Sequence, residues 1–254
     1  MIPICKNKYA SESIRTPKNF EAYRRSIGKW PKFKAPESII ISYDDRMMNY
    51  VEKNYDIEKC RAFCGDFWFL KDTNNKVAIY GNWGIGAALI ATRIEELIQF
   101  GIKNFISIGE AGGIPKELNI GDIVVCNKAL RDDGVSPHYL KPAKFVSASK
   151  ELTEKIILAA KKKNIPFKIG PTWTLDTIYR QTKVEIKQFQ KENILTIDME
   201  TAAIFAIAQY RKVKAGAILT VSDSFKNLRW DPKFHETTES LQKIFEIAKE
   251  TLSK

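Results

Sequence analysis

The stretch that decides the fold is Thr196-Ile197-Asp198-Met199-Glu200-Thr201-Ala202-Ala203-Ile204-Phe205, in which an extended run turns into a helix at Glu200. One helix later, the apolar run 217–221 ends at Ser222-Asp223. Ligands of open α/β sheets bind at the carboxyl ends of strands, and the oxygens of one carboxylate can accept two hydroxyl hydrogen bonds. A carboxylate that can clamp a sugar diol, Glu200, together with an acid at a strand end, Asp223, therefore suggests chemistry on a nucleoside.

Strand-like and helical segments alternate on both sides of this stretch. Short apolar runs predict strands at 38–42, 104–109, 122–126, 165–175 and 215–221, and a hairpin formed by 67–70 and 77–80. Apolar residues at helical spacing predict helices at 87–100, 150–163, 200–210 and 238–252. This alternation is typical of an α/β fold built around a largely central sheet.

The first 36 residues differ from the rest of the chain. They are polar and basic, and prolines at positions 3, 17, 31 and 36 interrupt them. We therefore expect an extended N-terminal arm over residues 1–36, without a core of its own. Residues 37–254 are then expected to form one α/β domain, because a chain of that length can close a hydrophobic core.

Composition excludes several classes of protein. The chain has 254 residues, 44% of them hydrophobic, and no apolar run of about 18 residues that could span a membrane. Its first eight residues lack the apolar core of a signal peptide, and four cysteines are few, so we expect a reduced, cytoplasmic protein. Cys60 and Cys64 have no matching pair of ligands, so no metal is expected. The formal charge of +11 favours anions, but no nucleic-acid-binding motif accompanies it, so nucleic acid is not an expected partner.

Two glycine-rich segments follow neighbouring strands. In residues 81–86 (GNWGIG) the glycines permit close approach of a ligand, and the N-terminus of the following helix favours an anion. The spacing is neither a P-loop nor a dinucleotide fingerprint, and a tight strand-to-helix turn is the simpler explanation. Residues 109–113 (GEAGG) suggest a ligand or close backbone packing, because Glu110 is unusual among apolar neighbours. A surface turn with a solvated Glu110 is the alternative.

The two acids also have ordinary explanations. Glu200 could act as a first-turn partner of the helix dipole, and Ser222-Asp223-Ser224 could cap a turn. Neither histidine of the chain, His138 or His235, has the sequence context of a catalytic triad.

Four segments together resemble nucleoside phosphorylase family I, which includes uridine phosphorylase, the hexameric purine nucleoside phosphorylases and the adenosylhomocysteine-type nucleosidases. The segments are Trp83-Gly84-Ile85-Gly86 with Glu95-Glu96-Leu97, residues 108–113 with 121–124, residues 198–203, and Val221-Ser222-Asp223. The resemblance covers roughly residues 38–252. It implies a single α/β domain with a central mixed, partly barrel-like sheet flanked by helices in a three-layer α/β/α arrangement. It also implies cleavage of an N-glycosidic bond by phosphate or water.

The resemblance assigns roles to individual residues. It implies that Glu200 binds the 2′ and 3′ hydroxyls of the ribose, and that Asp223 protonates or hydrogen-bonds N7 of a purine. Pyrimidine-specific members usually lack this second acid, so a purine-type base is favoured. Ile178 stands where an aromatic residue usually stacks on the base, and Tyr179 or Trp173 is expected to supply the ring instead. The implied substrate-binding residues are Met199, Ile178, Tyr179, Ser222 and Gly112.

The implied phosphate site departs from the family pattern. Ser42 replaces a glycine of the first loop, and Ser107 stands where a second phosphate-binding arginine is usual. Glu110 replaces a Ser or Thr, and its charge would repel phosphate unless a cation such as Arg46, Arg93 or Arg131 paired with it. Alternatively, Glu110 could orient a water. The implied phosphate-binding residues are Arg46, Gly84, Gly86, Gly109 and Glu110.

These observations predict a purine-type nucleoside phosphorylase that yields free base and ribose 1-phosphate. It is expected to need no cofactor, to use inorganic phosphate as co-substrate, and to form a homodimer or a trimer of dimers. Two alternatives stay open: a nucleosidase that uses water, and a non-catalytic nucleoside-binding protein with a degenerate phosphate site.

Overall fold

A computed structural model describes residues 3–253, so residues 1, 2 and 254 of the predicted arm and domain lie outside the described part. The strands are β1 (Ser38–Ser42), β2 (Ile57–Cys60), β3 (Asp66–Leu70), β4 (Val77–Gly81), β5 (Asn104–Gly113), β6 (Ile123–Asp132), β7 (Phe145–Ser147), β8 (Lys168–Leu175), β9 (Thr196–Asp198), β10 (Lys214–Ser224) and β11 (Asp231–Pro232). The α-helices are α1 (Pro17–Ser26), α2 (Asp45–Asn54), α3 (Ala87–Phe100), α4 (Ser136–Tyr139), α5 (Lys150–Lys162), α6 (Lys183–Lys191), α7 (Thr201–Arg211) and α8 (Thr238–Leu252).

The strands form one mixed sheet that partly closes on itself. Its order is β11-β10-β6-β8-β9-β5-β1-β4-β3-β2, and β10 also pairs with β5. Strands β5, β10, β6, β8 and β9 therefore make a closed ring, from which β1, β4, β3 and β2 extend as an open sheet. Parallel pairs such as β5 with β10 occur beside antiparallel pairs such as β10 with β6. The predicted single α/β domain with a mixed, partly barrel-like sheet is confirmed.

Helices cover both faces of the sheet, as the alternation of side chains along a strand requires. In β1, Ile39 and Ile41 pack in the core that contains α3 and α7, whereas Ile40 packs in the core that contains α2, α5 and α8. Helix α7 is buried from Thr201 through residue 208, so it has apolar contacts on all sides. The position of its N-terminus, where Glu200 lies, is fixed by this burial.

The segment before β1 is not extended throughout. Residues 17–26 form α1, whose start carries a capping box between Thr16 and Asn19 and a proline at its first position. Trp30 is buried against Phe63 and Phe100. The prediction of an extended arm was therefore wrong for residues 17–26, because Pro17 stands at the first helical position, where proline is favoured, and the other prolines lie outside this segment. The domain boundary at residue 36 stays a prediction.

The glycine-rich residues 109–113 are the end of strand β5 and not a turn. They pair with β10, and Gly112 and Gly113 also pair with β9. A Cβ atom on Gly112 would lie 2.8 Å from the Phe225 ring, and one on Gly113 would lie 2.9 Å from Val221. Because these glycines have no side chain, β5 can lie close to its neighbours. Residues 109–113 can therefore continue the strand and do not form the alternative surface turn.

Among residues 3–253, no helix combines the length and apolar character needed to cross a membrane.

Candidate active site

A cavity of about 640 Å³ opens where the carboxyl ends of β5, β9 and β10 meet. Glu200 and Asp223, the two acids that the sequence singles out, both line it. Parallel pairing brings β5 and β10 side by side, and β9 leads directly into α7. The sheet therefore brings both carboxyl groups to one cavity, an arrangement that neither a helix-dipole partner nor a turn cap requires.

Glu200, the residue that precedes α7, accepts two backbone hydrogen bonds. The Gly86 N–H donates to its Oε1 atom at 2.5 Å, and the Met199 N–H donates to Oε2 at 3.3 Å. Gly84 and Gly86 have φ values of 104° and 105°, which side chains rarely tolerate, so the glycines shape the turn that aims this N–H. Glu200 is 7% exposed, and burial together with the nearby Asp198 carboxylate raises its pKa to about 8.

Asp198 fixes the junction between β9 and α7. The hydroxyl of Thr174 donates to it at 2.6 Å, and the backbone N–H of Thr201 donates at 3.0 Å. Burial raises its pKa to about 6, although these hydrogen bonds oppose the shift. Asp198 therefore positions Met199 and Glu200, the next two residues, towards the cavity that all three line.

Asp223 lies near the end of β10 with neutral hydrogen-bond donors on both oxygens. The Ser222 hydroxyl donates to Oδ1 at 2.8 Å, and the indole N–H of Trp230 donates to Oδ2 at 2.8 Å. Asp223 is 7% exposed, and burial raises the pKa of its carboxyl group. A buried acid with a raised pKa is suited to carry a proton to a leaving group.

The Arg46 guanidinium is surrounded by protein acceptors. Its Nε donates to Asp44 at 3.0 Å, its Nη2 donates to Asp44 and, at 2.8 Å, to Glu110 Oε1, and its Nη1 donates to the Phe234 carbonyl at 2.6 Å. The Thr237 hydroxyl also donates to Glu110. Of the three arginines considered as partners of Glu110, Arg46 is the one that pairs with it. Two carboxylates around one guanidinium leave this cluster with a net negative charge.

The other predicted site residues divide into those on the cavity and those behind it. The cavity wall contains Met199, Ile178, Tyr179, Ser222, Gly112, Gly109 and Glu110. Gly84 and Gly86 flank Ile85, which lines the wall, while the Gly86 N–H is directed to Glu200. Trp173, expected as a possible stacking ring, is fully buried against Phe189 and donates to Asp132, so it does not reach the cavity.

Among residues 3–253, no three His, Cys, Asp or Glu side chains group closely enough to hold a metal ion.

Comparison with known proteins shows the family of the chain. The family model of the phosphorylase superfamily matches residues 39–254. The chain belongs to the phosphorylase superfamily. It is 32% identical over 208 residues to a protein of Buchnera aphidicola named "Purine nucleoside phosphorylase DeoD-type", which covers 81% of this chain and 86% of the relative. Proteins of Bacillus cytotoxicus (27% over 191 residues) and Vibrio vulnificus (28% over 197 residues), named as DeoD-type and DeoD-type 2 purine nucleoside phosphorylases, each align with 74% of this chain and 81% of their own length.

Membership of the phosphorylase superfamily confirms the predicted family and makes the chain a pentosyltransferase enzyme. In this superfamily member, sequence reasoning missed the aromatic residues Phe225, Trp230 and Phe234, which line the cavity beside Asp223. They lie between β10 and α8, on either side of β11, and no periodicity or motif marks them. Their one signal is proximity in sequence to Asp223.

Gly112→Ala adds only one methyl group, but it should lower both stability and activity. The added methyl group would lie 2.8 Å from the Phe225 ring and 3.1 Å from Asp223 Oδ2. Overpacking of this kind costs roughly 1–3 kcal/mol of stability, and it displaces the acid. We expect a lower thermal unfolding temperature and a lower kcat for nucleoside cleavage.

Gly28→Ala is the comparison variant. Gly28 has open space around its Cβ position, but its φ of 68° disfavours alanine, a backbone strain that Gly112 does not share, so Gly28→Ala should lower the unfolding temperature without lowering kcat. A Gly112→Ala protein with the stability and kcat of the parent would show that β5 does not pack tightly against Asp223.

Proposed function

We propose that the protein cleaves the N-glycosidic bond of a purine nucleoside with inorganic phosphate, giving free base and ribose 1-phosphate. The observation that carries this proposal is the placement of Glu200 and Asp223 on one cavity. The purine nucleoside phosphorylases among its relatives support the choice of substrate and co-substrate.

Asp223 acts on the base. As the glycosidic bond lengthens, negative charge grows on the purine, and a proton from the Asp223 carboxyl group to N7 neutralises it. Burial raises the pKa of Asp223, which favours the protonated form that this step needs. Ser222 and Trp230 orient the carboxyl group through its two oxygens.

Glu200 acts on the sugar. The Gly86 and Met199 N–H groups each occupy one acceptor position on its oxygens, and the remaining lone pairs accept the 2′ and 3′ hydroxyls of the ribose. Met199 lies beside it on the cavity wall. Fixing the sugar in this way leaves its opposite face open to the nucleophile as positive charge develops on the ribose.

A hydrolytic reaction is the second candidate, and the Arg46 cluster favours it. The donors of Arg46 are directed to Asp44, Glu110, Thr237 and the Phe234 carbonyl. Phosphate would have to displace Glu110 to reach this cation. The pKa of Glu110 is raised by burial, so its carboxylate can accept a proton from an attacking water.

Phosphate dependence of the parent protein decides between the two candidates. We expect base release from a purine nucleoside to increase with inorganic phosphate and to produce ribose 1-phosphate. Free ribose at a rate independent of phosphate would establish hydrolysis instead, and nucleoside binding without turnover under either condition would establish a non-catalytic binder.

Glu110→Ser tests whether Glu110 lies at the phosphate site. The substitution removes one carboxylate from Arg46 and leaves a hydroxyl at position 110, so the KM for phosphate should fall about tenfold, in line with release of one charge-assisted hydrogen bond. Glu154→Ser is the matched control, because that carboxylate lies on the exposed face of α5. An unchanged KM for phosphate would exclude Glu110 from the phosphate site.

We also propose that the protein assembles as a homodimer or a trimer of dimers, as its resemblance to nucleoside phosphorylase family I implies.

A further inference from the structure

Asp223 and the segment that follows it are joined by strand pairing and a side-chain hydrogen bond. Strand β11 pairs with the end of β10, with Asp223 opposite Pro232 and Ser224 opposite Asp231. The Lys233 N–H donates to the Ser222 carbonyl at 2.9 Å. Trp230 directly precedes β11, so this pairing holds the residue beside the carboxyl group to which its indole donates.

The indole N–H of Trp230 is hydrogen-bonded, whereas much of its ring is exposed. Its N–H is bonded to Asp223 Oδ2 at 2.8 Å, yet the residue is 61% exposed and lines the cavity. Phe225 and Phe234 line the same part of the wall. An exposed ring at a cavity wall has a face available for stacking on a planar base.

The chemistry of the indole suits an acid that must gain and lose a proton. Its N–H donates and does not ionise, so it orients Asp223 in both protonation states. A cation in the same place would hold the carboxyl group ionised. The charged residues on the surrounding elements are Glu110 on β5, Lys226 and Arg229 between β10 and β11, Asp231 on β11, and Lys233 and Glu236 between β11 and α8, together with His235; Glu200, Asp198 and Asp44 share the cavity. In the described part of the chain, the hydrogen-bond partners of the Asp223 carboxyl group are Ser222 and Trp230.

We propose that Trp230 is a positioning residue for Asp223 and a contact residue for the base: its N–H directs the carboxyl group to the purine, and its exposed ring supplies the aromatic face that Ile178 lacks. This inference rests on the proposed cleavage of a purine nucleoside. It names the residue that selects and orients the leaving base.

Trp230→Phe tests the N–H, because it keeps a ring and removes the donor. With a purine nucleoside, kcat should fall about tenfold, the size expected for one charge-assisted hydrogen bond. The Trp230 hydrogen bond lowers the pKa of Asp223, so its loss raises that pKa. Activity that requires protonated Asp223 is lost as pH rises, and the alkaline limb of the kcat profile should therefore move to higher pH. With a p-nitrophenyl riboside, whose leaving group needs no protonation, kcat should stay within about twofold of the parent.

Trp230→Ala tests the ring. The KM for a purine nucleoside should be about tenfold higher than that of Trp230→Phe, roughly the effect of losing one base–aromatic stack. Tyr23→Ala, which removes a 58% exposed aromatic side chain from α1, is the matched control and should leave both constants unchanged. Since both tryptophan variants change an exposed side chain, their unfolding temperatures should match that of the parent.

The outcomes separate this inference from the proposed function. A parent that cleaves purine nucleosides, with a Trp230→Phe variant that keeps its pH profile, would overturn the positioning role. An unchanged KM in Trp230→Ala would overturn the base contact. If the parent cleaves no nucleoside, the proposed function fails, and calorimetric binding of a free purine base then decides: about tenfold weaker binding by Trp230→Ala supports the base contact, and equal binding overturns it.

Discussion

Asp223→Asn is expected to lower kcat for purine nucleosides about 10²- to 10⁴-fold, the range over which a positioned general acid contributes. The amide keeps the shape of the side chain and its hydrogen bond from Trp230, but it has no acidic proton to deliver to N7. Asp223 is buried next to neutral donors, and no other acid is bonded to it in the described residues. Steady-state kinetics on inosine- and uridine-type nucleosides give the measurement, and the loss should be larger for the purine.

Ser224→Ala provides a matched control for this prediction. Ser224 is buried on β10 next to Asp223, so its substitution tests whether any change at the end of the strand suffices. Purine turnover by Asp223→Asn at the parental rate would remove Asp223 from the mechanism and leave its burial as a structural feature.

Glu200→Gln should weaken sugar recognition by a similar amount. Each hydroxyl hydrogen bond to a buried carboxylate contributes about 1.5–3 kcal/mol, and two of them correspond to roughly a 10²- to 10⁴-fold loss in kcat/KM. The amide also presents an NH₂ group where the Gly86 and Met199 N–H groups already point. Kinetics with ribosides and with 2′,3′-dideoxyribosides give the measurement: the variant should discriminate between them far less than the parent does.

The pH dependence of KM is an independent readout for Glu200. Burial and Asp198 raise its pKa to about 8, and the ionised form is the better acceptor of hydroxyl groups. The KM of the parent for nucleoside should therefore fall as pH rises through about 8, and Glu200→Gln should lack this change. Equal discrimination between the two sugars in variant and parent would contradict the role of Glu200 in binding the diol.

Much of the fold could be predicted because local signals and tertiary packing agree. The apolar run 38–42 became β1, and the segment 87–100, with regular apolar spacing and a glycine at each end, became α3 at those bounds. The two acids could be predicted to share a site because each ends a strand-like run, and sheet topology brings such ends together.

The remaining features depend on contacts between residues distant in sequence. Residues 109–113 looked like a turn because glycines favour turns, yet pairing with β10 makes them a strand. Whether Glu110 faced solvent, a water or an arginine could not be read from its neighbours, since Arg46 lies 64 positions earlier in the chain. Trp230 belongs to no recognisable motif. Its hydrogen bond to Asp223 forms only in the folded chain, where β11 pairs with β10.

Glu200 and Trp230 are supported by different parts of the fold. Glu200 is fixed by α7, which follows ring strand β9, and by the Gly86 turn, which follows β4 of the open sheet, whereas the Trp230 indole belongs to the segment after β10. Under the roles that we propose for Trp230 and Glu200, mutations in that segment would alter preference for the base and leave sugar binding intact. Evolution of substrate preference would then change the nucleobase more readily than the sugar.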